Sequence, residues 1–376
     1  MAQNSQFAGQ VALRFMRVIA VVFLIITGGN SFGQAKASGK VHTYYIAADN
    51  VIWDYTPNGR NFAGVQYSDV PDEYTPSYGH RTYPKAQFRE YADASFRDLK
   101  PAAAEWAHLG ILGPVLRAEV GDTVEVVFKN NTKRSCGLLV QGLAQVNAPM
   151  DAQQGEGASP SAVREDIAMV PSGEVRAYKW EVPERSGPGI HDPSSVVWMY
   201  YGHYVEAKDA NTGLLGPVII TARGMSKANG APRDVDREFV TAFAVFDETA
   251  SWYWQEGRET TASHTNNYVG PPDRMRNMLY SINGFVEGNL PMLTMKKGER
   301  VRWYLLANAN QDDVHAIHWQ GETVLFRGSR TDTVPLNPMG TAVTDMKAEN
   351  PGTWLLSCQV NHHFKGGMQA RFTVLP

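Results

Sequence analysis

The sequence predicts an all-β protein built from two similar domains, and three observations support this fold class. Short segments rich in β-branched and aromatic residues are bounded by Gly, Pro, Asn or Asp, which is typical of strands. Helical periodicity is scarce and extends to a turn or two at FREYADASFRDL and PAAAEW. The turn and strand EVGDTVEVVFKN at 119–130 recurs as KKGERVRWYLLAN at 296–308. Short antiparallel strands in two copies indicate tandem β-sandwiches or barrels.

The first 35 residues predict a secretory signal peptide. Arg14 and Arg17 precede the apolar run VIAVVFLIIT, and Gly33-Gln34-Ala35 forms a small-residue cleavage pattern. The run is short for a membrane span, and an uncleaved anchor is the alternative. We therefore expect an exported protein, in the periplasm.

The remaining chain divides at one polar segment. Domain 1 is predicted at 36–222, with strands VEVVF, VRAYKWEV and VIIT. The Gly- and Pro-bearing segment at 223–238 is the predicted linker, and domain 2 follows at 239–376 with strands VRWYLL and ARFTVL. A length of 376 residues is enough for two domains with separate cores.

The charge balance excludes one class of partner. The chain has 35 Lys and Arg against 38 Asp and Glu, a net charge of −3, and no basic block. Nucleic acid and anionic membranes are therefore not expected as main partners.

A metal-binding pattern lies near the end of the sequence, in CQVNHHFKGGM at 358–368. Cys358, His363 and Met368 have the spacing C-x4-H-x4-M. Soft sulfur with imidazole suits copper, and two His, one Cys and a weak axial Met describe a blue-copper centre. The second histidine must come from elsewhere, and DDVHAIHWQGE offers His315 and His318. Residues three apart on a strand face opposite sides, so one of the two can reach the loop.

The two cysteines allow another interpretation. In an oxidising compartment a pair of cysteines is often a disulfide, and Cys136 and Cys358 are the two in this chain. A disulfide gives no reason for His363 and Met368, so we favour the metal site and expect Cys136 to be a small core residue.

The chain resembles the ceruloplasmin and hephaestin type of multicopper oxidase, a group that shares this pattern with the A domains of coagulation factors V and VIII. The resemblance rests on motifs in the same order at similar spacing: YYIAADNVIWDY, HLGILGPVLRAEVGDTVEVVFKN, MYYGHYVEAKDANTGLLGPV, FAVFDETASWYW and YSINGFVEGNLP. It implies two tandem cupredoxin-like domains of Greek-key topology. It also implies one type 1 copper per chain, in domain 2, with ligands His315, Cys358, His363 and Met368.

The same resemblance implies that the oxygen-reducing trinuclear copper cluster is missing. That cluster takes eight histidines from four His-x-His pairs, and two of the eight positions are histidine here. The positions fall on Leu139, Gln141, Tyr201, His203, His318, Gln320, Ser357 and Gln359. His203 and His318 remain candidates for a second, mononuclear metal site completed by a neighbouring chain.

The hypothesis that this chain oxidises iron is weakened by a separate observation. In ferroxidases of this type, carboxylates and a histidine near the type 1 copper receive Fe(II). The resemblance places those positions on Met275, Tyr280, Gln311 and His362, none of which is a carboxylate.

Three functions therefore stay open. The first is one-electron transfer through a single type 1 copper, with a redox partner protein or a small-molecule electron donor. The second is a copper-dependent oxidoreductase of the ferroxidase, phenol oxidase or nitrite reductase type that acts with a partner or an incomplete second copper site, and the third is a non-redox binding scaffold. A homotrimer is an allowed assembly, because ceruloplasmin resembles three such domain pairs in one chain and closed rings satisfy head-to-tail contacts.

Overall fold

The computed structural model describes residues 39–64, 81–146, 169–202, 208–254, 277–309 and 314–376. The predicted signal peptide, His203, Met275 and Gln311 lie outside these ranges. Within them, no helix combines the length and the apolar character needed to cross a bilayer.

The described residues are almost entirely β-strand, and the predicted fold class is confirmed. The first eleven strands are β1 Val41–Asp54, β2 Thr82–Tyr91, β3 Leu116–Glu119, β4 Thr123–Asn130, β5 Cys136–Gly137, β6 Leu139–Val140, β7 Ala144–Gln145, β8 Met169–Val170, β9 Val175–Glu181, β10 Ser195–Tyr201 and β11 Leu215–Thr221. The next eleven are β12 Arg237–Asp247, β13 Met278–Ile282, β14 Leu293–Lys296, β15 Arg300–Ala307, β16 His315–Trp319, β17 Val324–Phe326, β18 Ser329–Thr331, β19 Thr333–Leu336, β20 Thr341–Lys347, β21 Gly352–Cys358 and β22 Gln369–Leu375.

The helices are short. Helix α1 spans Asn361–Lys365, and 3-10 turns lie at Ala104–Leu109, Glu184–Ser186, Asp209–Asn211 and Glu248–Ala250. The predicted turn at PAAAEW leads into the first of these. The turn or two of helix expected at FREYADASFRDL is absent, because its first residues belong to β2 and pair with β1.

Each half of the chain contains two main sheets around its own core. In the first half the strand orders are β2-β1-β4-β9-β7 and β3-β11-β10-β6. In the second half they are β13-β12-β15-β20-β17-β18 and β14-β22-β21-β16-β19. Alternating apolar residues make the strands two-sided, as in β4, where Val124, Val126 and Phe128 are buried and their neighbours are not. The repeated turns share a left-handed glycine, Gly121 before β4 and Gly298 before β15.

A third hydrophobic cluster joins the two halves. It packs Tyr55, Leu112 and Met199 of the first half against Phe246 and Tyr304 of the second, among others. The cluster makes Gly39–Pro376 one compact unit. The predicted linker at 223–238 is part of this unit, because the buried Arg302 guanidinium donates to Asp234 and β12 begins at Arg237.

A buried ion pair crosses the junction between the halves. Lys85 Nζ lies 2.7 Å from Glu248 Oε1 and donates to the Asn211 carbonyl at 2.6 Å. The Tyr55 hydroxyl donates to the same carboxylate oxygen at 2.5 Å. Burial lowers the pKa of Lys85 and raises the pKa of Glu248, and each partner's charge opposes that shift. Pairing offsets part of the free-energy cost of burying these two groups in an apolar junction.

Candidate metal centre

The candidate centre begins with the pairing of β16 and β21. Ile317 lies opposite Cys358, and His318 lies opposite Ser357. Along β16 the residues alternate, so that His315 and Ile317 are buried and His318 is partly exposed on the other face. The two-residue period of a strand therefore presents His315, not His318, to the buried side of β21.

The loop after Cys358 folds back on itself. The chain leaves β21, forms α1 with His363 inside it, and returns to β22 after Met368. The Cys358 N–H donates to the Met368 carbonyl at 3.2 Å, and the Met368 N–H donates to the His363 carbonyl at 3.0 Å. Gly367 turns the chain with a φ of 97°. These backbone bonds bring the three loop residues of the C-x4-H-x4-M spacing together.

Three ligand-bearing side chains converge here. One ligand atom from each of His315, Cys358 and His363 lies within 4.8 Å of the others, and all three residues are buried. Cys358 Sγ lies 3.5 Å from His363 Nδ1. Met368 is fully buried in the same hydrophobic cluster as Cys358. The structure thus brings two imidazoles and a thiol together, with a thioether residue in the same cluster.

The surroundings suit a soft, dry metal site. The Phe243 ring lies 5.8 Å from the His315 ring, and the Tyr280 ring lies 5.2 Å from the His363 ring. Burial lowers the pKa of His315 to about 3, so this imidazole is neutral at pH 7, the form that binds metals. The Ala316 N–H donates to Cys358 Sγ at 3.4 Å, a type of contact that adjusts the properties of a bound metal. The donor set fits copper.

Cys136 takes no part in this centre. No disulfide joins Cys136 and Cys358, so the disulfide alternative is wrong. Cys136 lies on β5 in the first half of the chain, where it pairs with Val170. Burial raises the pKa of its thiol to about 12, which makes it unreactive.

Four of the eight positions that the resemblance assigned to a trinuclear cluster form two cross-strand pairs. Leu139 lies opposite Tyr201, and His318 lies opposite Ser357. The amides that replace histidine are engaged within the protein. Gln141 Nε2 donates to the Met339 carbonyl at 3.2 Å, and Gln359 Nε2 donates to Ser357 Oγ at 3.0 Å.

The second candidate metal site is only partly described. His318 Nε2 lies 3.7 Å from Asp332 Oδ2, and His318 Nδ1 lies 3.3 Å from Gln359 Nε2. In the described part of the chain, His318 is not part of any convergent group of three metal-binding side chains. His203 lies outside that part.

Two of the four positions associated with iron binding are described. Tyr280 and His362 stand beside the candidate centre, with 5.9 Å between their rings and 4.4 Å between the rings of His362 and His363. They offer a phenol and an imidazole where carboxylates would suit Fe(II). A carboxylate that sequence reasoning overlooked does lie nearby. Glu287, in the motif SINGFVEGN, contacts Gly367 of the loop through its backbone.

Comparison with known proteins agrees with this geometry. The family model described as "Multicopper oxidase" matches residues 260–376. Hephaestin of Mus musculus is 38% identical over 349 residues, which cover 88% of this chain and 28% of hephaestin. Ceruloplasmin of Homo sapiens is 36% identical over 350 residues, which cover 89% of this chain and 32% of ceruloplasmin. The chain thus spans about a third of the length of these relatives.

The fold has counterparts among solved structures. A copper nitrite reductase from Nitrosomonas europaea superposes with a TM-score of 0.57 at 18% identity, covering 89% of this chain and 94% of the reductase. At that identity the likeness shows a shared fold.

Proposed function

Because this chain belongs to the multicopper oxidase family, for which copper is the expected cofactor, we propose that it is an exported protein that transfers single electrons through one type 1 copper. The observation that carries the proposal is the buried convergence of His315, Cys358 and His363 beside Met368. The proposal of export to the periplasm rests on the signal peptide that the sequence predicts at 1–35.

The proposed roles follow from the positions of the side chains. His315 and His363 would hold the metal through neutral imidazoles, Cys358 would hold it as a thiolate, and the Met368 thioether would be a further, weaker ligand. A bound copper supplies a one-electron Cu(II)/Cu(I) couple. Three of the ligands sit on strands or at strand ends that are hydrogen-bonded to one another. That frame would hold the ligands in place while the copper charge changes.

Oxygen reduction by the same chain is not part of the proposal. Of the eight positions that a trinuclear cluster would use, six carry Leu, Tyr, Ser or Gln. The described Gln and Ser side chains among them are hydrogen-bonded to other protein groups. Imidazole donors for three further coppers are therefore missing from this chain.

We predict a copper content of about one per chain and negligible oxygen uptake with phenolic or Fe(II) donors. The reason is that the chain has all four ligands of a type 1 copper site but lacks most of the histidine ligands of a trinuclear copper cluster. Elemental analysis of the copper-loaded protein and an oxygen electrode measure the two quantities. A content close to four with steady oxygen uptake would overturn the proposal. A content near two without oxygen uptake would instead support a mononuclear second site on His203 and His318.

One observation favours a second candidate function, a copper oxidoreductase. His318 lies on the same strand as His315 but on its opposite, partly exposed face. A second metal held there, by His203 and a neighbouring chain, would supply a reaction site in addition to the type 1 copper. Turnover of nitrite, phenols or Fe(II) by the copper-loaded protein distinguishes this enzyme from an electron carrier.

We also propose a homotrimer, since the chain matches about a third of ceruloplasmin and a ring of three chains would close head-to-tail contacts. Light scattering of the purified protein at micromolar concentration should give about three times the chain mass. A monomer under those conditions would exclude this assembly.

A further inference from the structure

Glu287 carries a buried carboxylate that has no role in the proposed function of the copper centre. The residue is 6% exposed, and its Oε1 atom has no solvent contact and accepts no hydrogen bond within the described residues. Buried carboxylates are normally paired or hydrogen-bonded. The positive charge of Arg81 lowers the pKa of the Glu287 carboxyl, but burial raises this pKa by more.

The backbone holds Glu287 against the loop that carries His363 and Met368. The Glu287 N–H donates to the Gly367 carbonyl at 2.7 Å, and the Gly288 N–H donates to the Gln369 carbonyl at 2.9 Å. A Cβ atom at Gly367 would lie 2.8 Å from Glu287 Cγ. The Glu287 side chain therefore passes beside the residue that precedes Met368, and only a glycine leaves room for it.

This arrangement is unfavourable for folding in two ways. Glu287 has a φ of 57°, in the left-handed region that a glutamate seldom adopts. Burial also raises the pKa of its carboxyl to about 6, so that the ionised form destabilises the folded state at neutral pH. A destabilising charge and a strained backbone that occur together are typical of functional positions.

We propose that the negative charge of the ionised Glu287 carboxylate, next to the loop that carries His363 and Met368, stabilises Cu(II) relative to Cu(I). The charge thereby lowers the reduction potential of the centre. This inference rests on the proposed function. A negative charge attracts the doubly charged metal more strongly than the singly charged one. As a general scale, a unit charge about 10 Å from a metal, at an effective dielectric constant of about 20, changes the ratio of its two oxidation states roughly tenfold. Reduction adds one electron from the donor and forms or breaks no bond at Glu287.

The first test is a redox titration at pH 8 of copper-loaded wild type and three variants, against a mediator dye of known potential. Glu287→Gln removes the charge and should increase the ratio of Cu(I) to Cu(II) about tenfold when the solution potential is held constant. Glu287→Asp keeps the charge and should stay near wild type. Glu174→Gln makes the same charge change at an exposed site in the first half of the chain and should also stay near wild type.

The outcomes separate this inference from the proposed function. An unchanged ratio in Glu287→Gln, with the visible copper band intact, would overturn the role of Glu287 and leave the copper site standing. A wild-type protein with no blue band would instead refute the site itself.

A second readout uses the metal-free full chain and is independent of copper. The pKa of Glu287 is higher in the folded state than the ordinary 4.5. Its destabilising effect is therefore absent below about pH 4.5 and complete above about pH 6. Glu287→Gln should raise the folding equilibrium constant by up to about 30-fold at pH 8 and leave it unchanged at pH 4. Equal effects at both pH values would show that Glu287 carries no buried charge, and the inference would fail.

Discussion

Replacing Cys358 with serine should abolish the strong visible absorption of the copper-loaded protein and leave the fold intact. The band of a type 1 centre arises from charge transfer between thiolate and copper, and Cys358 is the thiol in the convergent group. The serine side chain is only slightly smaller than that of cysteine. Its hydroxyl oxygen can accept the hydrogen bond that the Ala316 N–H now donates to Cys358 Sγ. Visible spectroscopy measures the loss of the band, and far-UV circular dichroism with thermal unfolding measures the fold.

Cys136→Ser provides the matched control. It removes the other cysteine, which lies in a different half of the chain and whose raised thiol pKa makes it unreactive. Its copper band should equal that of wild type. A blue Cys358→Ser protein, or a colourless Cys136→Ser protein, would show that the ligands have been assigned to the wrong residues.

Lys85→Met should give the largest loss of stability, about 3–5 kcal/mol in the free energy of unfolding. The substitution leaves the Glu248 carboxylate buried between the two halves with its opposite charge gone. It also removes the ammonium group that lies 4.0 Å from the centre of the Phe246 ring. Urea unfolding of the metal-free protein at pH 7 measures the change.

Two further variants make the cause identifiable. Lys85→Met combined with Glu248→Gln removes both charges and should recover much of the loss, because no unpaired ion stays buried. Lys179→Met breaks the ion pair with Glu125, in which both side chains are partly exposed to solvent, and should change stability by less than about 1 kcal/mol. A Lys85→Met protein as stable as the Lys179→Met protein would contradict a role for the buried pair.

Local features of the molecule could be predicted from the sequence because they depend on short windows of chain. Strand alternation is read within a few residues, and β4, β9, β11, β15 and β22 formed where the pattern indicated. The repeated turns depend on single left-handed glycines, Gly121 and Gly298. Cys358, His363 and Met368 could be grouped because one loop of eleven residues carries all three.

Other features were decided by contacts between distant residues. The spacing of His315 and His318 required opposite faces, but the burial of His315 followed from the side of β16 that packs into the core beside Cys358. No sequence pattern distinguished Glu287 from a surface glutamate. Its position next to the loop depends on the backbone hydrogen bond between residues 287 and 367, which forms only in the folded protein. The Lys85 and Glu248 pair joins residues 163 positions apart.

The physical reason is the difference between periodicity and register. By itself, the sequence determined the class of fold, the repeat, and a copper-type donor set on one loop, because turns and alternation act between near neighbours. Periodicity left His315 and His318 as alternatives, and the tertiary structure decided that His315 lies on the buried face beside Cys358 and that Glu287 lies against the same loop. Burial and pairing of those side chains depend on which strands pair and on the register of that pairing, and a one-residue shift turns every side chain to the other face.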